Sequence, residues 1–81
     1  MNPKLVKEIQ LEQEHGRKKY GSGPNDFDHD DAHGEFDWHE LIDKHNRMAL
    51  SGTPMDRRQH LVKLAGLAVS AIESFDRKAV A

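Results

Sequence analysis

Residues 27–40, "FDHDDAHGEFDWHE", put six carboxylates and three histidines into fourteen positions. Within them, "HDDAH" offers His29, Asp30, Asp31 and His33, a donor set of imidazoles and carboxylates that suits Mg, Mn or Zn. The same letters also describe a solvated acidic loop that sets negative charge before the positive end of a helix. Glu40 and Asp43 form an E-x-x-D pair, three apart on one helical face. Two such carboxylates can share a divalent cation that in turn holds a di- or triphosphate. Lys44 and Arg47, each four residues further on, give ordinary ion-pair spacings for the same two acids.

A second group of residues suits anions. Arg57, Arg58, His60 and Lys63 fall in the first turns of the final apolar-periodic segment, where the free amides of a helix start also favour negative charge. Lys18 and Lys19 lie at the end of the first segment and can join them. Tyr20 and Trp38 have an aromatic face with a polar tip, suited to stacking on a base or to anchoring a core. His45 sits on an apolar face and reads as a core or interface histidine. Neither a glycine-rich phosphate loop nor a nucleophile–base arrangement stands out.

Three helices must position these groups. Asn2 as cap and Pro3 at the first helical position open a helix over about 3–19, with Leu5, Ile9 and then Gln13 on one face and Val6 beside it, a thin stripe. Residues 21–35 have no apolar period and many turn formers, which predicts a long loop. From Asp37, a potential cap, the positions Trp38, Leu41, Ile42, His45 and Met48 or Ala49 predict a helix over about 37–49. Thr53, Pro54 and Asp56 make a near capping box that opens a third helix over about 54–78. Its stripe runs through Leu61, Leu64, Ala65, Ala68, Ala71, Ile72 and Phe75. Gly66 and Ser70 add a small-residue patch for close backbone approach. At 1.5 Å per residue this helix spans roughly 37 Å, longer than a globule of this size covers. Its apolar surface exceeds one stripe, which predicts a homo-oligomer packed through residues 61–75.

Composition sets the frame. The 81 residues allow one all-α domain over 1–81, with a radius of gyration of roughly 12 Å and a core contributing only about 3–5 kcal/mol. No cysteine is present, so disulfides and thiolate metal sites are excluded. The net charge of −2 gives no basic field for DNA or RNA. Eight of the fourteen acids lie within residues 26–43, whereas bases cluster at Arg17–Lys19 and around Arg57–Lys63. With no apolar run of membrane length and no apolar leader, the expectation is a cytoplasmic protein with no membrane partner.

The segments "HDDAH" and "RRQHLVKLAGLAVSAIESFDR" resemble small helical proteins of phages and prophages. The pattern "KKYG…W…H…G…D…HL…A…A…E", over about residues 17–77, is similar to phage dATP/dGTP diphosphohydrolases of the MazG-like all-α class. The resemblance implies a divalent-metal nucleoside triphosphate pyrophosphohydrolase using Mg or Mn, with Glu40 and Asp43 as ligands and His29, Asp31 or Glu12 completing the site. That class carries E-x-x-E on a preceding helix, whereas Glu8, Glu12 and Glu14 are spaced four and two. In size, absence of cysteine and a small-residue-rich final helix, the chain also resembles phage anti-CBASS sponge proteins, which bind signalling nucleotides without cutting them.

Because half of the metal motif is missing, the expectation is a nucleotide-sequestering homo-oligomer that needs no cofactor. Arg57, Arg58, His60, Lys63, Lys18 and Lys19 would meet phosphates, and Trp38 or Tyr20 the base. A pyrophosphohydrolase and a helical protein-interaction module are the alternatives.

Overall fold

Asn2 begins the first helix as expected: its Oδ1 accepts a hydrogen bond from the Lys4 amide at 2.9 Å, with Pro3 at the first helical position. In the computed structural model, which describes residues 1–23 and 25–80, the elements are α1 (Pro3–Tyr20), α2 (Asp28–Ala32), α3 (Glu35–Ser51) and α4 (Pro54–Val80). No strand occurs among the described residues. The protein is all-α. No described helix is long and apolar enough to cross a membrane.

Arg17, Lys18 and Lys19 place positive charge at the negative end of α1. The chain then turns sharply at Gly21, where a Cβ would sit 2.8 Å from both the Arg17 carbonyl oxygen and Asp26 Oδ2. Asp26 organises this turn, its Oδ2 accepting from the Ser22 amide at 2.8 Å and its Oδ1 from the Asp28 amide at 3.0 Å.

The stretch expected as an uninterrupted loop over 21–35 contains the helix α2. Five residues cannot sustain a helix alone, because nucleation is unfavourable. Tertiary partners supply the difference. Arg77 donates to Asp31 through Nε at 3.1 Å and through Nη2 at 2.7 Å, and Ser74 Oγ donates to Asp31 Oδ1 at 2.8 Å. Arg17 Nε stands 3.6 Å from Asp30. The Phe27 ring lies within cation–π range of Arg17 and Arg77, at 4.8 and 4.3 Å.

Helix α3 starts two residues earlier than expected, with Gly34 as its cap residue. Asp37 serves it from the third position instead, accepting from the Gly34 amide at 2.9 Å. The next junction matches its reading. Thr53 Oγ1 accepts from the Asp56 amide at 3.2 Å, while Asp56 Oδ2 accepts from Thr53 N at 3.2 Å and from Oγ1 at 2.8 Å.

Helix α4 is the spine. Its 27 residues correspond to about 40 Å, which sets the 41 Å long axis of the molecule, and the radius of gyration is 12.9 Å. Both α1 and α3 pack on α4, but not on each other. The buried face of α4 is Gly66, Ser70, Ala71 and Ser74, so short side chains let its neighbours approach closely. Gly66 meets the Ile9 carbonyl and Gln13 of α1, and Ser70 Oγ accepts from Gln13 Nε2 at 3.0 Å. The stripe expected to face a core is therefore divided: Ala71 is buried, whereas Leu61, Ile72 and Phe75 are exposed. The small-residue patch is occupied by α1 of the same chain.

Candidate ligand-binding cleft

Because the backbones of α1 and α3 stand apart on α4, an open cleft of about 380 Å³ lies between them, within the size range of small-molecule sites. Gly66, Leu67 and Ser70 of α4 form its floor. Gln13, Arg17 and Tyr20 line one wall, one helical face of α1 at spacings of four and three. Trp38, Leu41 and Lys44 of α3 line the other, and His29 and Asp30 of α2, with His33 just after it, close one end.

Four rings run continuously along that end. Tyr20 stacks on His29 with centroids 5.0 Å apart and planes 17° from parallel. His29 meets His33 edge-on at 4.7 Å, and His33 meets Trp38 at 4.8 Å and 62°. His29 lies on α2 and His33 directly follows it, where the chain turns extended and brings the second ring back beside the first. Trp38 is 2 % exposed and closes the series in the core, whereas Tyr20 is 59 % exposed and ends it in solvent. The Trp38 indole N–H is buried without a hydrogen-bond partner among the described residues. Burial first, and then the neighbouring His29, hold the His33 pKa below the ordinary imidazole value.

The cleft presents the cations Arg17, Lys19, Lys44 and Lys63 against the carboxylates Glu12 and Asp30. Arg17 stands near Asp30 and 4.0 Å from Glu73, and Lys63 is 3.9 Å from Glu12. Lys19 lies 5.2 Å over the Tyr20 ring. His45 also lines the cleft, with its Nδ1 3.2 Å from Nδ1 of His60. Only one of those nitrogens can carry the proton of that contact. Burial, followed by His60, Lys63 and Lys44, keeps the His45 pKa low.

Of the expected ligand residues, the fold brings Lys63, Lys19, Tyr20 and Trp38 to one cleft. His60 reaches it only through His45. Lys18 and Arg57 are exposed away from it. Arg58 makes a two-point contact with Glu8, at 2.8 and 3.0 Å, and lines a separate shallow groove with Leu11 and Val62. Trp38 is a buried wall and offers no free face for a base, which leaves Tyr20 as the open platform.

The residues expected to hold a metal are dispersed. His29 belongs to the ring series and Asp31 to Arg77 and Ser74. The Arg77 hydrogen bonds, with a smaller contribution from Ser74, keep the Asp31 pKa below the usual carboxylate value. Asp43 pairs with Arg47 at 3.1 Å, and Glu40 is exposed on the same helix. Among the described residues, no three His, Asp or Glu side chains are grouped to hold a metal ion. Sequence reasoning missed Gln13, Arg17 and Lys44, whose signal is helical spacing from Tyr20 and Trp38. Comparison with protein-family models, with curated proteins and with solved structures finds no match to this chain.

Proposed function

We propose that the protein binds a nucleotide in the α1–α3 cleft and holds it without cleavage. The observation that carries this reading is the meeting, in one cleft, of the Tyr20–His29–His33–Trp38 ring series with Lys19, Lys44 and Lys63. Tyr20, exposed and with Lys19 over its ring, supplies the aromatic platform for a base. The lysines supply mobile donors for phosphate, and Arg17 adds a planar donor at the end nearest α2. A ligand acceptor reaching the Trp38 wall would satisfy the buried indole N–H.

The distribution of carboxylates supports holding over hydrolysis. The two acids of the cleft, Glu12 and Asp30, each lie beside a cation. The E-x-x-D acids Glu40 and Asp43 do not line it. The resemblance to phage sponge proteins makes signalling nucleotides the first ligands to test.

The test is titration calorimetry with canonical and cyclic nucleotides, with and without Mg²⁺ or Mn²⁺, followed by heat denaturation and chromatography of the released ligand. Intact ligand is the expected result. Tyr20→Ala and Lys63→Ala each weaken binding about tenfold, whereas Lys18→Ala leaves it unchanged. A monophosphate and pyrophosphate product would assign hydrolysis instead. Absence of binding to every nucleotide would leave only a helical interaction module.

A further inference from the structure

Helix α4 carries an apolar seam whose large side chains are left open to solvent by the described residues of this chain. Leu61, Ala65, Ala68, Ile72, Phe75 and Ala79 follow one another at alternating spacings of four and three, the 3.5-residue repeat of a coiled coil. The large members are open to solvent: Leu61 is 52 % exposed, Ile72 59 % and Phe75 41 %. The seam lies away from the buried face that receives α1 and α3. It runs for roughly 27 Å of helix, and soluble monomers rarely expose contiguous apolar surface on this scale.

We propose that this seam is the homodimer interface, with α4 packed antiparallel on α4 of a second copy about a two-fold axis at Ala68. Side-chain size selects both the occupant and the direction. Antiparallel pairing sets Ala65 across from Ile72 of the second copy and Leu61 across from its Phe75, with Ala68 meeting Ala68 at the axis. Ile72 thus faces a small residue on each side of a narrow centre, the bulkier Leu61–Phe75 pairs close the two ends, and the contact is self-complementary as a two-fold interface requires. A parallel, in-register pair would stack Ala on Ala at residues 65 and 68 and Phe on Phe at 75. That arrangement opens one end of the seam and crowds the other.

Charge points the same way. Arg58 lies at the N-terminal end of the seam. Asp76 lies at the C-terminal end, exposed and with no ion-pair partner among the described residues of its own chain. The two are eighteen residues apart, five helical turns, and so lie on one flank. An antiparallel partner turns its Asp76 toward Arg58, which keeps Glu8 as its other neighbour. Parallel packing would carry the partner's Asp76 to the opposite flank, away from Arg58. The ligand cleft opens on a different side of α4, so this inference is independent of nucleotide binding.

The test begins with light scattering of the full chain after gel filtration. The expected mass is twice the 9.2 kDa of one chain. Ala68→Arg is expected to halve that mass while leaving the far-UV helical signal unchanged. If Ala68→Arg fails to fold, Ile72→Lys, at a position already open to solvent, is read in the same way. Direction is read by oxidative cross-linking, because the chain has no cysteine of its own. Ala68→Cys alone cross-links, Leu61→Cys alone does not, and an equal mixture of Leu61→Cys with Phe75→Cys does. A monomer at every concentration would overturn the proposal. A dimer that survives both charged variants would move the interface elsewhere, and self-cross-linking of Leu61→Cys would overturn the antiparallel direction.

Discussion

Two acidic stretches, a few residues apart, have opposite fates. In α2, Asp30 and Asp31 are drawn inward to Arg17 and Arg77, with the Phe27 ring beside both guanidinium groups. In α3, Glu40 and Asp43 stay on the solvent side, where Asp43 pairs with Arg47 and Glu40 has no ion-pair neighbour among the described residues. Both stretches look equally suited to a metal as strings of letters. What separates them is the number of cations that other helices bring to each. Acidic density marked a docking segment in the first case and a solvated face in the second.

The largest perturbation removes both regions at once. Trp38 belongs to α3 and also ends the ring series that begins at Tyr20 and passes through His29 of α2. Trp38→Ala is expected to cost about 3–5 kcal/mol, as much as a core of this size contributes. Circular dichroism should therefore show loss of the helical signal at ambient temperature. A folded Trp38→Ala protein would mean that α2 and α3 are held by something other than this wall.

The direct comparison comes next. Asp31→Ala should destabilise by about 1–2 kcal/mol, a figure discounted for the partial exposure of the pair. Each kcal/mol lowers Tm by about 4–8 °C in a domain of this length. Asp43→Ala should stay within about 0.5 kcal/mol of the unaltered chain. Equal shifts in thermal denaturation would erase the distinction drawn between the two stretches.

Acidity separates the regions further. The Asp31 carboxyl has a lowered pKa in the folded state, so its stabilising effect is complete above the ordinary value of 3.8 and is lost as pH falls through the folded value below it. Acid unfolding of Asp31→Asn should lose that component of the pH dependence, whereas Asp43→Asn should retain it. His33 and His45 act in a higher window. Burial lowers both pKa values, so the unfolded chain binds protons more readily below 6.5 and stability declines as pH falls from neutral through that region. His45→Gln should flatten this decline in denaturant melts taken across the window. The smallest expected effect is that of Glu40→Gln, which should alter neither Tm nor nucleotide affinity measurably. A loss of affinity there would bring α3's acidic face back into consideration as part of the site.

Much of the fold is legible in the sequence because its signals are local. The Asn2–Pro3 start and the Thr53–Asp56 box depend on neighbours within a turn, and both appear as their residue types require. The helix α2 does not, since its stability comes from arginines 13 residues before and 46 residues after the aspartates they meet. Reading residues 21–35 as loop also hides that a helical turn and the extended residue after it bring His29 and His33 together. Periodicity identified α4 as apolar on more than one face, but could not say which face would receive α1 and α3. The answer was the face of small residues, because Gly66 and Ser70 permit a close approach that Leu61 or Phe75 would block. The cleft was only partly legible for the same reason: Lys19, Lys63 and Tyr20 announce themselves by type, whereas Gln13, Arg17 and Lys44 become neighbours only because α1 and α3 stand apart.

The clasp on Phe27 has a consequence for time rather than for shape. Five residues form a helix only while tertiary partners hold it, so α2 opens and closes as one cooperative unit. When Asp31 leaves Arg77, His29 and His33 leave the cleft together, and the Tyr20–Trp38 connection is broken at both joints. Amide exchange over residues 28–33 should therefore follow a single opening rate, faster than that of α3 or α4. Any molecule that rests on His29 or His33 should slow that rate in proportion to its occupancy.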